Sequence, residues 1–125
     1  MLLIVGGNDT TRNSMSAGVL FMHENPSEFQ KIKDDESLIP SAVSEIIRYQ
    51  TPLSYMRRTA KEDVEIGGEV IKAGQRVLIG LSAANRDPSK YDDPDTLDLG
   101  RDPNPHVAFG QGIHVCVGAP LARLE

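Results

Sequence analysis

A single cysteine among 125 residues leaves no partner for an internal disulfide, which fits a reducing compartment. Basic clusters long enough to follow a phosphate backbone are missing too. With a net charge of -5 and a pI near 5.1, nucleic acid is not an expected partner. Long hydrophobic runs are also absent. The apolar start, residues 1–5, stops at Gly6-Gly7 and has no basic leader, so it reads as neither a signal peptide nor a membrane anchor. No repeat or low-complexity tract occurs. The hydrophobic (39%) and charged (25%) fractions are those of a soluble protein of one domain at most, expected in the cytoplasm. The chain begins inside an apolar run and ends at Glu125 without a Gly or Asn stop signal, so residues 1–125 are expected to be part of a longer domain.

Periodicity predicts a mainly α chain with a small antiparallel β-sheet. Val5, Met15, Val19 and Met22 have helical spacing over residues 2 to about 22, interrupted by Gly6-Gly7-Asn8. Each interior glycine costs a helix about 1 kcal/mol relative to alanine, so the pair suggests a bulky partner lying against it. Asn25-Pro26-Ser27-Glu28 carries a cap, a first-turn proline and a capping-box glutamate, opening a short helix to about Lys33. Asp34-Asp35-Glu36 reads as a solvated linker. A third helix is expected over residues 38–50, with Val43, Ile46 and Ile47 on its apolar face and Pro52 stopping it. Residues 64–66 and 69–71 flank Gly67-Gly68 as a hairpin, and Ala73-Gly74 turns the chain into a strand over residues 76–81. Residues 85–105, rich in Asp, Pro and Asn, form a long loop that must wrap something.

Cys116 lies in Phe109-Gly110-Gln111-Gly112-Ile113-His114-Val115-Cys116-Val117-Gly118. An isolated cysteine is most often a small buried apolar residue. Here, two preceding glycines allow a tight turn and close approach to a flat ligand, and Gly118 keeps bulk away on the far side. A helix beginning near Cys116 would aim unpaired N–H groups at the sulfur and favour its anion.

The pattern F-G-x-G-x-H-x-C-x-G resembles the haem-binding loop of the cytochrome P450 family, the haem-thiolate monooxygenases. Glu45-Ile46-Ile47-Arg48 is similar to that family's E-x-x-R signature, about seventy residues before the cysteine. Outside such a context, an i,i+3 pair is worth only about 0.2–0.5 kcal/mol. The resemblance extends over essentially the whole chain and implies a partial P450 fold, from the oxygen-binding helix to the haem-binding loop. It implies haem b (iron protoporphyrin IX) as cofactor, with the Cys116 thiolate as axial ligand and Phe109, Gly110, Gly112 and Gly118 shaping the loop. Glu45, Arg48 and Arg101 would form a structural triad. Asp9 and Thr10 match an acid-alcohol pair, with Thr10 hydrogen-bonding bound dioxygen, Asp9 relaying protons, and Gly6 and Gly7 leaving room for the porphyrin. Arg58, His106 and His114 match residues that meet the haem propionates, and Leu53, Ser54, Tyr55 and Met56 stand where members line the substrate pocket.

The implied activity is insertion of one atom of O2 into a C–H bond of a small apolar substrate, with electrons from a ferredoxin and ferredoxin reductase. G-G-N-D-T-T-R-N-S-M and E-I-I-R-Y-Q-T-P-L-S-Y-M-R-R resemble bacterial members that hydroxylate terminal carbons of alkanes and fatty acids, whereas the second half follows the general bacterial pattern, which leaves terpenes and other small apolar compounds open. A haem-thiolate sensor would share the cysteine loop but has no need of Asp9-Thr10. A cysteine hydrolase would need a histidine base beside Cys116; His114 is near in sequence, but no companion motif supports it. An inactive fragment is the third alternative, because 125 residues bury little apolar surface around a haem.

Overall fold

In a computed structural model, which describes residues 2–125 and the side chains of residues 6–125, the chain opens with α1 (Leu2–Glu24). Val5, placed on the apolar spacing of this helix, has its side chain outside the described range. The expected interruption at Gly6-Gly7-Asn8 does not occur: α1 runs through it unbroken. A Cβ at either glycine would meet nothing within 4 Å, so the described chain supplies no bulky partner there. Farther along, Ala17 and Gly18 turn towards α3 (Ile39–Gln50), where a Cβ on Gly18 would stand 3.3 Å from Ile46 Cδ1. Phe21 packs edge-on against Tyr49 with ring centres 5.0 Å apart, closing the same interface.

The second helix, α2 (Pro26–Asp34), starts at its proline as expected, but the capping box does not form. The Asn25 N–H that Glu28 would accept is already donated to Phe21 O at 2.9 Å. Glu28 instead accepts from the Leu99 N–H at 3.1 Å and pairs with Lys31 at 2.7 Å. Leu99 is fully buried, and its amide would otherwise lack a partner. The expected linker at residues 34–36 is ordered: Asp34 closes α2, and Asp35 accepts from Ser37 N at 3.0 Å to cap a 3-10 turn, Glu36–Leu38.

On α3 the most buried positions are Ala42, Glu45, Ile47 and Arg48, whereas Val43 and Ile46 are only partly covered. Thr51 ends the helix with φ +41°, directly before Pro52. Then come β1 (Tyr55–Thr59), β2 (Val64–Ile66), β3 (Glu69–Ile71) and β4 (Arg76–Gly80). Gly67 and Gly68, at φ +62° and +84°, make the tight turn between β2 and β3. β4 does not join that hairpin. It pairs antiparallel with β1, from Tyr55 opposite Gly80 to Thr59 opposite Arg76, so the expected sheet is two separate ladders. Leu81 leaves the strand for α4 (Leu81–Ala84) and is buried. Residues 85–105 then wind around the end of α3, and α5 (Ala119–Leu124) follows the cysteine loop. Ala42, Leu97 and Leu99 form the core, with Phe21, Ile32, Ile46 and Tyr49 packed against it. Among the described residues, no helix is long and apolar enough to cross a membrane.

Candidate functional site

Arg48 explains the shape of the long loop. Its guanidinium has five N–H groups in a fixed fork, and each has an acceptor. Nε and Nη2 donate to Glu45 Oε2 and Oε1 at 2.7 and 2.8 Å. Nη1 donates to the carbonyls of Asn85 and Pro94 at 2.7 and 2.9 Å, and Nη2 also to Thr96 O at 3.3 Å. Residues 85–96 are thus wound around a fully buried cation whose hydration they replace.

Glu45, equally buried, also accepts from Asp98 N at 3.0 Å, Arg101 Nε at 3.3 Å and Asn104 Nδ2 at 2.9 Å. Burial pushes its carboxyl up, but the Arg48 hydrogen bonds, the Asp98 amide and the two guanidinium charges outweigh that and hold it below the ordinary carboxylate range. Arg101 reaches on to the carbonyls of Asp92, Asp93 and Thr96. Glu45, Arg48 and Arg101 therefore meet around one carboxylate, and Asn104 joins them. Tyr91, buried, lies under both guanidiniums, 5.1 Å from Arg48 and 6.0 Å from Arg101.

Two polar groups escaped the sequence reading. Besides the part-buried Asn104, there is Asn85, fully buried, donating from Nδ2 to Thr51 Oγ1 at 2.9 Å and accepting from Val107 N at 2.8 Å. The only signal for either is an amide side chain in a Pro/Asp-rich loop, which ordinarily marks a solvated turn.

From Val107 the chain enters the cysteine loop. Gly110 N donates to Val107 O at 2.8 Å, and Cys116 N donates to Phe109 O at 2.9 Å, folding the loop back on itself. Gly110 and Gly112 both have φ +71°, the left-handed region that glycine favours, and a 3-10 turn, Gly112–His114, lies between them and the sulfur. Cys116 is exposed, and so are Ile113 (96%), Val115 (55%) and Val117 (90%) around it. The helix expected after the sulfur begins at Ala119, just past Gly118. A Cβ on Gly118 would lie 3.8 Å from Cys116 Sγ, an ordinary contact. Arg123 of α5 stacks over the Phe109 ring at 5.0 Å.

Phe109 also faces α1. Thr10, Thr11, Ser14 and Met15 line one wall of a small cleft whose other walls include Phe109 and Ala122. Thr10 Oγ1 donates to Gly6 O at 2.8 Å, and the neighbouring Asp9 pairs with Arg12 at 3.0 Å on the exposed side.

His106 tilts against Phe109 with ring centres 5.7 Å apart, its Nδ1 buried without a partner among the described residues. Burial first, then the Arg123 cation, lower its pKa to about 4 against the opposing pull of Glu45, so it is neutral at pH 7. Arg58 and His114 are exposed, and Arg58 donates only to Arg57 O among the described residues. Leu53, Ser54, Tyr55 and Met56, the residues matched to a substrate pocket, are exposed as well, the last two in β1.

The family model described as Cytochrome P450 matches residues 1–125. The chain belongs to the cytochrome P450 family. The methyl-branched lipid omega-hydroxylase of Mycobacterium bovis is 47% identical over 127 residues, covering 100% of this P450 chain and 30% of that protein. Cytochrome P450-153 from Novosphingobium aromaticivorans superposes with a TM-score of 0.95 at 52% identity, over 98% of this chain and 31% of that one. CYP109E1 from Bacillus megaterium in complex with corticosterone gives 0.95 at 41% identity, over 98% and 33%. This P450 chain thus spans about a third of the length of the relatives it matches.

Proposed function

We propose that this chain forms the cysteine-loop part of a haem-thiolate monooxygenase in which Cys116 is the axial ligand of haem b. The observation carrying this reading is the exposed sulfur in a glycine-turned loop, flanked by uncovered Ile113, Val115 and Val117. Such a surface suits a flat apolar group, and a single protein sulfur is the donor set that haem-thiolate ligation needs. When bound, haem supplies the oxygen chemistry, with the thiolate pushing electron density onto iron. Phe109, Gly110, Gly112 and Gly118 would shape the seat, and Arg58, which here donates to Arg57 O, and His114 would hold the propionates. His106, neutral, offers one N–H at most.

On α1, Thr10 lines the cleft beside Phe109; its one hydroxyl proton goes to Gly6 O, so to donate to bound dioxygen it would turn away from that carbonyl. Asp9, on the exposed side, takes up protons from water, and Gly6 and Gly7 leave the helix face open. Glu45, Arg48 and Arg101 fix the segment that leads to the loop. The substrate is a small apolar molecule meeting Leu53, Ser54, Tyr55 and Met56, and terminal hydroxylation of an alkane or fatty acid is supported by likeness to the lipid omega-hydroxylase. The steroid-bound relative favours a second reading, a bulkier polycyclic substrate. Electrons come from a ferredoxin and its reductase, in the cytoplasm.

The test is carbon monoxide binding to the reduced full-length protein that carries this chain. A strongly red-shifted haem band is expected, absent in Cys116→Ser; a histidine-type band in the unaltered protein overturns the assignment. Octane, a fatty acid and a steroid offered in parallel decide the substrate class, and exclusive steroid oxidation rejects terminal hydroxylation.

A further inference from the structure

The end of α3 and the start of the cysteine loop are more than fifty residues apart in sequence, and one side chain joins them. Asn85 is fully buried and leaves none of its groups idle. Its N–H donates to Leu81 O at 2.9 Å, ending α4, and its carbonyl accepts from Arg48 Nη1 at 2.7 Å. Its Nδ2 donates to Thr51 Oγ1 at 2.9 Å, and the Thr51 hydroxyl donates to Arg48 O at 2.6 Å. Oδ1 accepts from Val107 N at 2.8 Å. An amide N–H can only donate, so the side chain's orientation is fixed by chemistry.

Val107 is where the loop's own folding begins, because its carbonyl takes the Gly110 N–H that closes the turn through Ala108 and Phe109. Phe109 in turn accepts the Cys116 N–H. We infer that Asn85 is a positioning residue: its amide clasps the Val107 N–H to the end of α3 and so sets where the turn presents Cys116. This rests on the reading of Cys116 as a haem ligand. The clasp adjoins the carboxylate cluster, sharing Arg48 through the Asn85 carbonyl, but holds the loop at a different point: the cluster reaches the same segment through Asn104, three residues earlier.

Two substitutions separate the clasp from general destabilisation. Asn85→Asp, read at a pH low enough to keep the buried acid protonated, keeps an acceptor for Val107 and an O–H donor for Thr51 Oγ1, whereas Asn85→Ala removes both. In the full-length haem-loaded protein, amide hydrogen exchange at Val107 is expected to quicken roughly ten- to hundredfold in Asn85→Ala, while exchange at Ile46 and Ile47 stays at the parent rate. At equal haem content, the carbon monoxide complex should lose part of its red-shifted band. Asn85→Asp should restore both readings towards the parent. Unchanged exchange at Val107, equal acceleration in α3 and the loop, or an aspartate variant as impaired as the alanine one would overturn the proposal. If Asn85→Ala does not accumulate, Thr51→Val decides: it strips the Nδ2 acceptor and should quicken Val107 alone, and a parent-like rate there refutes the clasp. Exchange at Val107 is read whether or not Cys116 binds iron, so a missing red-shifted band in the unaltered protein would sink the ligand assignment and leave the clasp standing.

Discussion

Asn104 donates from Nδ2 to Glu45 Oε2 at 2.9 Å, and this bond ties the segment before the cysteine loop to α3 through a side chain that has no charge of its own. Reversing the amide would set its oxygen against a carboxylate, so the donor must face Glu45. Asn104→Asp puts a second carboxylate there. Like charges at hydrogen-bond distance cannot both ionise cheaply, so the pKa of the new pair rises in the folded state. Stability is then retained at low pH and lost as pH rises through that raised value. Urea unfolding at pH 5 and pH 8 should show Asn104→Asp losing more at pH 8, by roughly 1–3 kcal/mol, whereas Asn104→Ala loses a similar amount at both.

Removing one member of the buried pair is a harsher change. Arg48→Ala leaves Glu45 charged without its main partner and also orphans the carbonyls of Asn85 and Pro94, so a loss of about 3–5 kcal/mol is expected. In the unaltered protein, the pair's pH dependence has the opposite sign to that introduced by Asn104→Asp. Glu45 is held below the usual range when folded, so its contribution is present above about 4.3, the unfolded value, and disappears as pH falls through the depressed folded value. Glu45→Gln should be less stable at pH 7 but should show a shallower fall between pH 5 and pH 3 in denaturant titrations.

What could be read in advance divides by the kind of force involved. The helices expected over residues 2–22 and 38–50 and the Gly67-Gly68 hairpin were legible because apolar spacing and turn glycines act locally, although the break expected at Gly6-Gly7-Asn8 does not form. The strand at Tyr55–Thr59 was not, since Tyr55-Met56-Arg57-Arg58-Thr59 has no apolar alternation and becomes a strand by pairing with a segment twenty residues away. Glu28 was misread for a similar reason. Its capping role was pre-empted when Asn25 N continued the hydrogen bonding of α1, and a distant amide at Leu99 claimed the carboxylate. In the site, Glu45, Arg48, Arg101 and Cys116 stood out as motif residues. Asn85 and Asn104 did not, because an amide that satisfies backbone groups leaves no periodic trace.

His106 predicts a second acid sensitivity. Its folded pKa of about 4 lies below the unfolded value near 6.5, so the unfolded chain binds the proton first. Stability is complete above about 6.5 and falls as pH drops towards 4, by at most about 3 kcal/mol given its part exposure. Denaturation midpoints of the full-length protein between pH 7 and pH 4.5 should fall less steeply in His106→Phe. An equal slope in both would show that His106 does not contribute to it.

Gly112 and Gly118 bracket the sulfur but answer to different constraints. A Cβ at Gly112 would meet nothing within 4 Å, yet the residue sits at φ +71°, where an alanine pays about 1–2 kcal/mol in backbone strain. At Gly118, φ is -86°, an ordinary value, and the added Cβ would touch Sγ at 3.8 Å without overlap. Gly112→Ala should therefore lower the melting temperature and speed haem loss, because relieving the strain moves the turn that carries Cys116. Gly118→Ala should leave the melting temperature close to the parent's and act on the sulfur's surroundings alone, visible as a shift of the carbon monoxide band. Equal melting temperatures for the two variants would mean that free space, and not the left-handed backbone, is what the loop requires of its glycines.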